Sequence, residues 1–64
     1  MYYRTDLKIK HLLTFRCKNI LRILERKPST LDEIATELEK YGVRKKTIKK
    51  ELDYLIKLGY VEER

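Results

Sequence analysis

Apolar residues recur every three or four positions through most of the chain, and residues that break helices divide them into three runs. From Phe15 to Arg26, Cys17, Ile20, Leu21, Ile23 and Leu24 fall on one side of a helical wheel and Lys18, Arg22 and Arg26 on the other. That pattern predicts an amphipathic first helix, with the Thr14 hydroxyl, after Leu13, capping its opening turn. Lys27-Pro28-Ser29 ends it, because proline disfavours helical backbone in the residue before it and has no N–H to donate. Thr30 and Glu33 then have the spacing of a capping box, in which each side chain satisfies the other residue's backbone amide. Leu31, Ile34, Ala35, Leu38 and Tyr41 form the apolar stripe of the second helix, and Gly42 supplies the left-handed residue that ends it. Ala35 is small enough to let another helix come close.

Val43 is expected to plug the corner after this turn, and a third helix is predicted from Arg44 to Leu58, where Gly59 stops it. Its buried arc is Ile48, Leu52, Leu55, Ile56 and Leu58. Opposite lie Lys46, Lys50, Asp53 and Lys57, with Lys49 on one shoulder and Thr47 and Tyr54 on the other. Tyr60-Val61-Glu62 reads as a short strand. Residues 1–12 form an N-terminal arm ahead of the domain proper, residues 13–64. In the arm, Leu7, Lys8 and Ile9 alternate as in a strand, whereas Asp6 after Thr5 can open a helix. The helical reading, from about Asp6 onward, is preferred here.

The size and charge of the chain narrow its partners. Sixty-four residues make one domain, near the lower limit of independent folding, which favours dimerisation. A net charge of +6 suits a polyanion, with nucleic acid ahead of an anionic membrane. No apolar run approaches the roughly 20 residues of a membrane span. The N-terminus lacks the apolar centre of a signal peptide, so an intracellular, cytoplasmic location is expected, on the nucleoid or inside a host cell if the source is viral. One cysteine, Cys17, and one histidine, His11, allow neither an internal disulfide nor a zinc site within one chain. No metal, cofactor or small-molecule ligand is expected, and no catalysis, since His11 and Cys17 lie six residues apart and would diverge on a helix. The absence of glutamine and the wealth of Lys, Glu, Arg and Ile fit a thermophilic microbe or one of its viruses or plasmids.

Over about Leu13 to Val61 the chain resembles the winged helix-turn-helix domains of bacterial and archaeal transcription regulators. The resemblance is carried by Leu13-Thr14, by Leu31 with Glu33-Ile34-Ala35, by Gly42-Val43, and by Thr47-Ile48, Leu52, Leu55 and Gly59-Tyr60-Val61. It implies a mainly α, three-helix winged-helix-like domain whose third helix enters the major groove while a hairpin, the wing, touches flanking DNA. With the chain ending at Arg64, only a first, incomplete wing strand is expected. Its open edge needs covering by the N-terminal arm or by a second subunit. Arg44 stands where many relatives carry a Ser, Thr or Asp cap.

The third helix opens with Arg44, Lys45, Lys46, Lys49 and Lys50, whereas the second carries Asp32, Glu33, Glu37 and Glu39. A lysine-rich face is often merely solvated, but this one lies on the helix that such proteins point at DNA. Arg44, Lys45 and Lys49 are therefore assigned to phosphates. Lys46, Thr47, Lys50 and Asp53 are assigned to base edges, with Lys57 extending the face. No Asn or Gln is available there for the bidentate contact to adenine. The cationic stripe of helix one is read as solvated. Tyr2, Tyr3, Phe15 and Tyr60 are candidates either for packing with the arm or for a dimer contact. The expected protein is a homodimeric regulator of double-stranded DNA, acting as a repressor. A protein-interaction adaptor and a non-specific architectural nucleic-acid binder are the alternatives.

Overall fold

The C-terminal strand finds its partner at the other end of the chain. A computed structural model describes residues 1–64, and in it β1 (Tyr2–Arg4) pairs antiparallel with β2 (Val61–Glu63), Tyr3 opposite Glu62. Between them run α1 (Phe15–Arg26), α2 (Leu31–Leu38), a 3-10 turn (Glu39–Tyr41) and α3 (Lys45–Leu58). On its other side β1 meets Ser29 in the α1–α2 connector, the Tyr2 amide donating to the Ser29 carbonyl at 2.8 Å and the Ser29 amide returning at 3.1 Å. β1 is thus held along both edges. The result is a mainly α, winged-helix-like domain in which the N-terminal arm supplies the strand that covers the C-terminal one.

Helix ends follow local chemistry. Thr14 caps α1 by accepting from the Cys17 amide at 3.2 Å, and Thr30 and Glu33 form the complete capping box of α2. Gly42 and Gly59 both adopt positive φ, 73° and 91°, as the turns after α2 and α3 require. The three helices and the sheet enclose Ile20, Ile34, Ile48, Leu52, Leu55 and Tyr60, none of which retains solvent exposure. Leu31, Ala35, Val43, Ile56 and Leu58 pack around this centre, partly buried.

Four expectations need correction. The arm is not helical from Asp6: residues 5–14 are irregular, and β1 precedes them. Tertiary hydrogen bonds displace the helix there. The Thr5 amide donates to the Tyr60 carbonyl, the Arg4 guanidinium donates to the Thr5 and Leu7 carbonyls, and the amides of Lys10 and His11 donate to the Tyr60 hydroxyl at 2.7 and 3.2 Å. Nδ1 of His11 lies within hydrogen-bonding distance of the same hydroxyl, at 2.6 Å. Second, Tyr2 and Tyr60 are not surface contacts for a dimer, because both rings lie in the core of a single chain. Third, Tyr41 leaves the apolar stripe of α2, because the last turn tightens to a 3-10 helix, and its ring is half exposed against Phe15. Fourth, the final strand begins at Val61 and reaches Glu63, leaving Tyr60 in the bend before it.

Candidate nucleic-acid interface

Burial of one side of α3 determines what its other side presents. Ile48, Leu52 and Leu55 are fully enclosed, so Lys46, Lys50, Asp53 and Lys57, spaced four, three and four residues apart, are turned to solvent as a single row. At 1.5 Å per residue that row is about 16 Å long. Arg44 precedes the helix as its N-cap in extended conformation and gives no side-chain cap. The first amides of α3 are therefore open to solvent or ligand.

Charges on this surface fall into two groups. Seven ion pairs link cations to carboxylates across the molecule. Two of them give candidates a carboxylate partner while leaving them exposed: Lys45 pairs with Asp32 of α2, and Lys49 donates to Asp53 at 3.0 Å. The Lys49 amine is held above its usual range by the Asp53 bond first and the Tyr2 hydroxyl second, with its Nζ 5.9 Å from the Tyr2 ring centre. Lys45 and Lys49 thus lean toward α2 and β1. Arg44, Lys46, Lys50 and Lys57 have no carboxylate partner and are exposed, so the unneutralised charge of α3 lies on its outward row and at its start. Asp53 belongs to the row but is engaged by Lys49. Thr47 is half-buried and lines a shallow depression beside Arg44, Gly42 and Tyr41.

Two residues not assigned from the sequence shape this end of the helix. Arg16, on the first turn of α1, lines the same depression, which brings a second guanidinium beside Arg44. Glu51 is the only acid of α3 turned inward, toward the start of α1. It accepts from Arg16 at 3.4 Å, from the Thr14 hydroxyl at 3.5 Å and from the Cys17 thiol at 2.7 Å. Burial, with Glu51 beside it, raises the Cys17 pKa to about 11, so the thiol stays protonated and unreactive at neutral pH. Glu51 lies three residues after Ile48, at the border of the buried arc, a position that marks it as a tether. Which helix it meets was not visible in the spacing.

Of the dimer candidates, Phe15 is exposed and meets Tyr41 edge to face with ring centres 5.4 Å apart. Tyr3 is half-buried, with the Arg64 guanidinium over its ring at 4.6 Å. No three His, Cys, Asp or Glu side chains gather as a metal site would require, and no helix is long and apolar enough to cross a membrane. Comparison with protein-family models, with curated proteins and with solved structures gives no match to the chain.

Proposed function

We propose that this chain is a winged helix-turn-helix regulator that binds duplex DNA through α3. The observation that carries the reading is the row of exposed, unpartnered cations Lys46, Lys50 and Lys57 on the side of α3 opposite the core. A helix about 10–12 Å across with its side chains is of a size to enter a major groove about 12 Å wide, with the row of about 16 Å lying along it. Lys46 and Lys50 have the donors to reach guanine O6 and N7, and the Thr47 methyl suits a thymine methyl. Arg44 serves phosphates, and release of condensed counterions supplies much of the affinity. Lys45, Lys49 and Asp53 act differently from their neighbours. Lys45 is paired with Asp32 of α2 and Lys49 with Asp53 one turn along α3, and they reach DNA only by exchanging those partners.

The regulator is placed inside the cell as a homodimer, with two α3 helices presented about 34 Å apart to a palindromic site. It represses by occupying the promoter. The test is selection from a randomised duplex library at two salt concentrations. A two-fold symmetric motif, with affinity falling steeply in salt, is the expected result. Salt-sensitive binding without a motif would replace the reading with a non-specific architectural binder, and no binding would remove it.

A further inference from the structure

A second surface, separate from the α3 row, has its own chemistry. A groove of about 230 Å³ lies between α1 and the end of α2, and no residue of α3 lines it. It therefore remains open when α3 is occupied. Ile23 and Leu38, almost wholly buried, give it an apolar base, and the half-exposed ring of Tyr41 forms one side. Phe15, 61% exposed, extends that apolar side beyond the groove through its edge-to-face contact with Tyr41.

The edges of the groove are cationic. Arg22 from α1 and Lys40 from the 3-10 turn have no carboxylate partner, and Lys40 Nζ sits 5.4 Å from the Tyr41 ring centre. Arg26 is paired at 3.4 Å with Glu37, the one acid in the lining. Exposed aromatic rings over an apolar base, edged by cations, are the arrangement of an interface with an apolar centre and a polar rim.

We infer that this groove docks an acidic protein segment carrying leucine or aromatic anchors. Charge complementarity selects that occupant: its carboxylates meet Arg22 and Lys40 while an apolar side chain covers Ile23, Leu38 and Tyr41. A second copy of this chain docked groove to groove would set Arg22 and Lys40 against like charges. Duplex DNA offers phosphates but no apolar group for the base of the groove. The inference stands apart from the DNA reading, since no cation of α3 lines the groove and only Tyr41 borders both surfaces, and it gives a DNA-bound regulator a face on which to recruit a partner.

The test follows backbone amide NMR shifts of the full chain during titration with a synthetic amphipathic peptide of Glu, Asp, Leu and one Phe. A control peptide has Lys in place of every acid. Expected are shifts at Arg22, Ile23 and Lys40 with the acidic peptide alone, unchanged in the presence of saturating duplex DNA. The double variant R22E/K40E should weaken peptide binding by about tenfold or more, as should Tyr41→Ala, while thermal unfolding reports that each variant still folds. Acidic-peptide shifts confined to Lys46 and Lys50, equal binding of the two peptides, or no binding would each overturn the proposal. Groove shifts caused by duplex DNA itself would reassign the groove to nucleic acid. Failure of DNA binding elsewhere in the protein would leave these outcomes readable.

Discussion

The starts of α2 and α3, fourteen residues apart, are built on opposite principles. α2 opens with Thr30 and Glu33 closing each other's amides and with Asp32 and Glu33 in its first turn, where negative charge favours the helix dipole. α3 opens with no side-chain cap, no acid in its first turn, and Arg44, Lys45 and Lys46 gathered at the positive end of its dipole. A cap is worth about 1 kcal/mol, and cations at a helix start work against it. α3 forgoes both contributions and is still held in place, because Ile48, Leu52 and Leu55 on its other face are fully buried. Packing supplies the stability that local sequence gives away, and the start of α3 remains open to an anion. One helix start is closed by its own side chains, and the other is left without a side-chain cap.

The contrast can be broken most strongly at the outward row. Replacing Lys46 and Lys50 together with Ala should remove roughly 1–3 kcal/mol of DNA affinity per residue and flatten the dependence of affinity on salt. Thermal unfolding should hardly change, because neither side chain has a protein partner. A titration of labelled duplex at several salt concentrations reads both effects, and unchanged affinity would mean that the row is a solvated face.

At α2 the same measurements should reverse in weight. Thr30→Ala removes the acceptor for the Glu33 amide and should destabilise the protein by about 1 kcal/mol. For a domain this small that lowers the unfolding midpoint by about 4–8 °C. DNA affinity measured well below that midpoint should stay the same.

A smaller and more diagnostic effect is expected from Arg44→Ser, which makes the start of α3 resemble that of α2. Stability should rise by about 0.5–1 kcal/mol through the new cap, while DNA binding weakens through loss of a phosphate contact. Gains in both, seen by calorimetry and by duplex titration, would show that the open helix start has no functional role.

The smallest effect concerns acid. The Glu33 carboxyl is held below its usual range, chiefly by the bond from the Thr30 amide. A depressed folded-state pKa means that this contribution is complete above the unfolded value, near 4.5, and disappears as pH falls through the folded one. Acid titration followed by NMR should therefore loosen the first turn of α2 below the ordinary carboxylate range. The uncapped start of α3 has no such carboxyl and should respond only through the rest of the fold.

Most helical boundaries were legible in the chain because their causes are local. Pro28 forbids the continuation of α1, Gly42 and Gly59 accept the positive φ that ends a helix, and a capping box needs only two side chains three residues apart. The outward row of α3 was legible for the same reason, since burying Ile48, Leu52 and Leu55 sends Lys46, Lys50, Asp53 and Lys57 the other way. Even the Lys49–Asp53 pair was within reach, being four residues apart on one helix.

Other features were settled between elements. Nothing in its own helix neutralises Lys45, and only the approach of α2 brings Asp32 to it. Cys17 and Arg16 meet Glu51 by the crossing of α1 and α3. The arm shows the difference most clearly, since residues after Asp6 carry an adequate helical pattern and yet are drawn into irregular backbone by the carbonyl and hydroxyl of Tyr60.

By itself, then, the sequence determined three amphipathic helices, their breaks, and the separation of acidic α2 from basic α3, because each depends on side chains within a turn or two of one another. Tertiary structure alone decided that β1 closes on β2, that Tyr2 and Tyr60 enter the core, and which lysines keep their charge unshared. Strand pairing and ion pairing between helices join residues distant along the chain, and a repeat of three or four positions carries no record of which distant surface each face will meet.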